Sequence, residues 1–183
     1  MRNAKRALRQ HAMARRAEAA ASNPSAGDAL AQHAAHIATP RCVAAYRPIR
    51  NEIDPLPLAR ALVARGASLA LPVVDGGAIH FCAWREGEPL RKGKFGIEEP
   101  MGPKVSPDLL LVPLLAFTRQ GDRLGYGAGH YDCYIASHPD ITTIGVAFAA
   151  QEVQDLPIED HDQALSLIVT EKTWIAPREA TCG

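Results

Sequence analysis

"PDLLLVPLLAFTRQGDRLGYGAGHYD", residues 107 to 132, changes character halfway along. Its opening part, through Phe117, is the strongest apolar run in the chain, too short to cross a membrane and suited to a central strand buried on both faces. A turn through "TRQGD" (118–122) follows, then three alternating glycines, then a helix of about two turns to Ser137. A strand that leads through a glycine loop into a helix is the repeating unit of α/β folds, where ligands bind beyond the carboxyl ends of parallel strands.

Outward from that unit the alternation continues. Residues 2–16 have helical spacing, and Ser25 caps a second, alanine-rich helix reaching to about Ala38. "RCVAAYRP" (41–48) reads as a buried strand, and Asp54 caps a helix through "PLPLARALVARG" (55–66). "ASLALPVV" (67–74) and "AIHFCAW" (78–84) are strands joined by an Asp75-Gly76-Gly77 turn. Arg85 to Pro107, rich in Gly, Pro and charge, reads as a loop, and "TTIGVAFA" (142–149) and "ALSLIVT" (164–170) complete the strands. The expectation is an α/β protein, three-layer α/β/α with a mostly parallel central sheet, in one domain over residues 1–183.

At 183 residues and 47% hydrophobic, the chain suffices for one substantial core. Twenty basic and twenty acidic residues cancel, which argues against a protein that holds nucleic acid by bulk charge. No apolar run approaches the roughly 20 residues of a membrane-spanning helix. Cys42, Cys82, Cys133 and Cys182 form no CxxC pair and are expected as free thiols in a reducing compartment. The composition therefore predicts a cytoplasmic protein with neither nucleic acid nor membrane as partner; a monomer or weak dimer is expected, although the sequence does not give the oligomeric state.

Gly125, Gly127 and Gly129 let backbone N–H groups face an anion with no Cβ in the way, so phosphate is the natural guest. The spacing is neither the lysine-bearing P-loop nor the dinucleotide fingerprint. Arg123 supplies a cation for a phosphate oxygen, and Asp132 a hard oxygen ligand of the kind Mg²⁺ prefers. On the N-terminal helix, Arg2, Lys5, Arg6, Arg9 and Arg16 fall within one third of the circumference, a basic stripe that by itself reads as a solvated face.

"DLLLVPLLAFTRQGDRLGYGAGHYDCYI" (108–135) resembles the signature of the 5-formyltetrahydrofolate cyclo-ligase family. "KRALR" (5–9), "NEID" (51–54), "KFGIEEP" (94–100) and "GVAFAAQEVQDLPIEDHDQALSLIVT" (145–170) resemble further blocks of the family in the same order. The resemblance implies an enzyme that binds ATP, Mg²⁺ and 5-formyltetrahydrofolate and makes 5,10-methenyltetrahydrofolate, ADP and phosphate. In that chemistry the formyl oxygen takes the γ-phosphoryl group, N10 closes the ring, and phosphate leaves, which demands positioning and charge neutralisation instead of a protein nucleophile.

By the same resemblance Lys5 and Arg123 are catalytic, and Lys5, Arg9, Arg123, Gly125, Gly127, Gly129 and Tyr131 bind ATP. Glu52, Phe95, Tyr126 and His130 face the folate, with Glu52 suited to the hydrogen-bond donors of the pterin and the ring of Phe95, like that of Tyr131, suited to its flat face. Asp132 and Asp162 are the Mg²⁺ carboxylates. Arg2, Arg6 and Arg16 stay with the solvated reading, and Gln151 reads as a helix cap or polar turn. Three positions depart from the family pattern: Ala128, which forbids easy positive φ, His130 in place of an aromatic, and Arg47 before the acidic motif. Two rival readings remain at this level, a catalytically silent folate or nucleotide binder and a sugar-phosphate isomerase-like enzyme on a related fold.

Overall fold

The computed structural model describes residues 2–93, 96–159 and 162–177, with the side chains of residues 2–4 outside that description. Helix α1 (Arg2–Ser22) is followed by α2 (Ala26–Ala29), which runs on into a 3₁₀ helix (Leu30–His36). Then come β1 (Cys42–Ala44), α3 (Leu56–Val63), β2 (Ser68–Asp75), β3 (Ala78–Ala83), β4 (Leu90–Lys92), β5 (Glu98–Pro100), β6 (Lys104–Val105) and β7 (Leu109–Pro113). The chain closes with β8 (Ala116–Phe117), β9 (Arg123–Leu124), α4 (His130–Ala136), β10 (Thr142–Val146), a 3₁₀ turn (Ala149–Gln151), β11 (Leu167–Val169) and β12 (Trp174–Ile175).

Eight strands form one sheet in the order β12-β11-β10-β7-β1-β2-β3-β6. The inner run from β11 to β2 is parallel, and antiparallel partners are added at both edges. This is the expected mostly parallel sheet. Alternate residues of β7 face opposite ways, so Leu109 and Leu111 join one core cluster while Leu110 and Val112 join the other. All four are at most 2% exposed, worth about 1.5–3 kcal/mol for each side chain of this size removed from water. The first cluster packs Leu58, Leu62 and Leu30 over one face, and the second packs Ile135 of α4 over the other. Crossovers from β1 to β2 and from β7 to β10 thus lie on opposite faces and lead in opposite directions. Between β1 and β7 the sheet has its topological switch point, the place where open α/β sheets leave a crevice.

Several local expectations need correction. The second helix is four residues of α-helix and then seven of 3₁₀ winding, and the Ser25 side chain makes no capping bond to it. Asp54 does cap its helix, accepting from Leu56 N–H at 2.9 Å. Arg85 to Pro107 is not a plain loop: β4 pairs antiparallel with β5, and β6 extends the main sheet beside β3. Strands of two or three residues show too little alternation to be read from sequence. The apolar run 107–117 is not one strand either. Pro113 has no N–H to continue the ladder, and beyond it β8 turns away to pair with β9. Gln151 holds that bend, donating from Nε2 to the carbonyls of Leu114 (2.8 Å) and Leu115 (3.0 Å) and accepting from Phe148 N–H (2.8 Å). Among the described residues, no helix is long and apolar enough to cross a membrane.

Candidate active site

Lys5, Arg9, Ala12 and Arg16 recur at helical spacing and form the inner face of α1. Ala12 is buried with Leu115, Leu124 and Leu156, and it brings its three basic neighbours against the carboxyl end of the sheet. Lys5, buried, donates to Asp162 at 2.9 Å and lies 3.0 Å from Glu159. Burial opposes its charge, but the hydrogen bonds to Asp162 and Glu159 outweigh it and hold the ammonium above the ordinary lysine range. Arg9 Nε donates to the carbonyl of Gly125 at 3.0 Å.

Arg16 overturns the solvated reading, whereas Arg6 is exposed as expected. Arg16 is 1% exposed. Its guanidinium donates to the carbonyl of Arg50 (2.7 Å) and to the Tyr126 hydroxyl, and lies 3.6 Å from Glu52 Oε1. Sequence treats every cation of the stripe alike, because burial of a charge depends on distant partners. The side chain of Arg2 lies outside the described residues.

The glycine segment leaves β9 and turns with positive φ at Gly127 (+97°) and Gly129 (+70°), which leaves Ala128 in ordinary backbone. The departure at Ala128 is thereby accommodated by alternation. A Cβ on Gly127 would lie 3.0 Å from Arg9 Nη2, whereas one on Gly125 would meet nothing within 4 Å. At the foot of the segment, Arg123 Nη2 donates to Asp132 Oδ1 at 2.6 Å, and its Nη1 donates to the carbonyl of Gln163. Asp132 Oδ1 also accepts from Gln163 N–H at 3.2 Å. Burial pulls the Arg123 guanidinium below its usual range, and the carboxylates of Asp132 and Asp162 oppose that shift.

After β1 the chain passes Tyr46 and enters a turn in which Arg50 (φ 48°) and Asn51 (φ 65°) both adopt left-handed backbone. Two consecutive non-glycine residues in that region carry strain, which accumulates at functional turns. The turn delivers Glu52, whose side chain is 4% exposed and accepts from Ile49 N–H at 3.0 Å. Burial pushes the Glu52 carboxyl above the usual range, against the Ile49 N–H, Arg16, Tyr126 and Arg50. Burial also pushes the Tyr131 phenol far above its ordinary value, with the Glu52 charge adding to it.

Most of these groups, though not Arg16, line one cavity of about 290 Å³ at the switch point. Lys5, Arg9, Arg123, the three glycines, Tyr131, Asp132 and Asp162 share it with Glu52, Tyr126 and His130. Phe95 lies outside the described residues, as does His161. The site residues that sequence reasoning missed are Arg16, Tyr46, Glu98, Glu99 and Glu159. Arg47, noted as a departure, pairs with Glu98 at 3.1 Å on the rim. The acid-rich "EEP" and "PIED" stretches were the available signals for the three glutamates. Among the described residues, no three His, Cys, Asp or Glu side chains cluster to hold a metal on their own. Asp132 and Asp162 fit Mg²⁺ as the one or two carboxylates that accompany phosphate oxygens, its usual protein setting.

Residues 1–171 match the sequence model of the 5-formyltetrahydrofolate cyclo-ligase family. The chain is 33% identical over 149 residues to a 5-formyltetrahydrofolate cyclo-ligase of Mycolicibacterium smegmatis, covering 74% of this chain and 76% of that one. A 5-formyltetrahydrofolate cyclo-ligase of Escherichia coli is 32% identical over 144 residues, 72% of this chain and 79% of its own length. Among solved structures, the 5,10-methenyltetrahydrofolate synthetase of Aquifex aeolicus superposes with a TM-score of 0.82 at 29% identity, over 98% of this chain and 95% of that chain. The synthetase of Mycoplasma pneumoniae shares the fold, with a TM-score of 0.72 at 23% identity over 91% and 98% of the two chains.

Proposed function

The chain belongs to the 5-formyltetrahydrofolate cyclo-ligase family, and on that premise we propose how its cavity closes the ring of 5-formyltetrahydrofolate to 5,10-methenyltetrahydrofolate at the expense of ATP. One observation carries the reading. Lys5, Arg9, Arg123 and the glycine segment line the same cavity as Glu52, Tyr126 and Tyr131. Groups suited to an anion thus share one cavity with groups suited to a flat heterocycle with N–H donors.

Within this reading Lys5, Arg9 and Arg123 take the phosphates of ATP, which the backbone at Gly125 and Gly127 approaches closely. Each of Lys5 and Arg123 is already paired with a carboxylate. With a magnesium nucleotide bound, phosphate oxygens would take Lys5 and Arg123, and Asp132 and Asp162 would be the carboxylates that hold the divalent ion. The ion supplies charge neutralisation on the transferring phosphoryl group. Glu52 accepts from the pterin N–H groups and holds the formyl oxygen in line with the γ-phosphate; that oxygen takes the phosphoryl group as ADP leaves, and N10 then attacks the activated carbon, giving up its proton as phosphate departs. No protein nucleophile is required.

The test is turnover, followed by the methenyl chromophore, with ATP, Mg²⁺ and 5-formyltetrahydrofolate together and with each omitted in turn. Product only when all three are present supports the reading. Binding without product indicates a silent binder, and conversion of a sugar phosphate without ATP indicates an isomerase.

A further inference from the structure

A guanidinium sealed from water must find its hydrogen-bond acceptors in the protein or destabilise the fold. Arg16 finds them on three separate segments. Its Nη1 donates to the carbonyl of Leu114 beyond β7 at 3.4 Å, and its Nη2 reaches the strained turn through the carbonyl of Arg50 at 2.7 Å. The glycine segment is reached through the Tyr126 hydroxyl, and Glu52 Oε1 lies 3.6 Å from Nη1. Its Nε is buried with no partner. Glu52 and Tyr126 line the cavity, whereas Arg16 stands behind them and does not.

We propose that Arg16 is a positioning residue for ring closure: it aims Glu52 at the substrate and fixes Tyr126 between Gly125 and Gly127, acting through both without touching either ligand. The inference rests on the reading of Glu52 as the folate-side acid. Well-packed hydrophobic side chains often replace buried ion pairs without loss of stability, so filling the core does not by itself call for an arginine here. The groups facing Glu52 are Arg16 from α1, Ile49 N–H and Arg50 from its own turn, Tyr126 from the glycine segment, Tyr131 from α4 and Tyr46 after β1. Arg16 is the one buried cation among them. Its removal therefore leaves Glu52 harder to ionise, and folate use is lost at a higher pH as pH falls.

The experiment compares the full-length protein with Arg16→Met, Arg16→Lys, Glu52→Gln and the Arg16→Met/Glu52→Gln double variant. Initial rates are followed through the methenyl chromophore from about pH 5 to pH 9. Arg16→Met is expected to raise the folate KM about tenfold or more, to change the KM for Mg-ATP less, and to move the acid limb of kcat/KM to higher pH. In the Glu52→Gln background that limb is absent, and Arg16→Met is expected to change the folate KM by no more than about twofold. Arg16→Lys keeps the charge and loses the fork, so the limb stays and the folate KM rises; should Arg16→Met not fold, this variant carries the test. An unmoved limb in Arg16→Met, an unchanged folate KM in Arg16→Lys, or additive effects in the double variant overturn the proposal while leaving Glu52 in place. An unchanged folate KM in Glu52→Gln alone removes the assignment of Glu52 and this inference with it.

Discussion

Lys5 Nζ donates a 2.9 Å hydrogen bond to Asp162 Oδ2 across 157 residues of chain. The pair joins the first helix to the segment that precedes β11, and Arg123 with Asp132 repeats the arrangement at the foot of the glycine segment. Two of the three cations proposed for phosphate, Lys5 and Arg123, are thus each held by a carboxylate proposed for the metal, which orients the cation before the ligand arrives.

Lys5→Ala is expected to raise the KM for Mg-ATP about tenfold or more and to leave folate binding within about threefold, since it removes one charge-assisted bond. Glu52→Ala is expected to do the reverse. Calorimetry with each ligand separately checks the division, and equal losses on both ligands contradict it.

Gly127→Ala introduces a Cβ at φ +97° and 3.0 Å from Arg9 Nη2. It is expected to cost about 1–2 kcal/mol of stability and to weaken nucleotide use. Gly125→Ala meets no atom within 4 Å and should leave stability within about 0.5 kcal/mol while still raising the KM for Mg-ATP. Thermal denaturation and kinetics on the two variants separate backbone strain from ligand contact.

Asp132→Asn keeps an oxygen for the Gln163 N–H and removes the charge beside Arg123. Reduced turnover that recovers as Mg²⁺ is raised is the expected outcome. A variant that unfolds, with no recovery, identifies Asp132 as a structural anchor for Arg123 instead.

Gln151→Ala removes the side-chain partner of the Leu115 carbonyl and of the Phe148 N–H, and leaves the Leu114 carbonyl only the longer bond from Arg16 at 3.4 Å. The cost is expected to be on the order of 2–4 kcal/mol, read as a lower midpoint in urea unfolding. A loss under about 0.5 kcal/mol means that water or main chain satisfies the bend, and Gln151 does not hold it.

The central strand, the glycine segment and the helix after it were legible because their causes are local. Four consecutive leucine or valine side chains at Leu109 to Val112 need two buried faces, and the turns at Gly127 and Gly129 need backbone that only glycine adopts freely. Sequence alone also carried the ordered motifs by which the family was recognised, and the cations and carboxylates from which the site is built. It could not reach β4 to β6, where two or three residues leave too short a pattern, nor the bend after Pro113, whose carbonyls wait for Gln151. Least of all could it separate Arg16 from Arg6. Whether an arginine is solvated or sealed behind a site depends on an acceptor such as the Tyr126 hydroxyl, 110 residues away, and only the packed sheet brings that acceptor within reach. Local rules set where the chain is straight, turned or coiled, while the pairing of charges is a property of the closed structure, because a buried charge is stable only with partners that folding alone assembles.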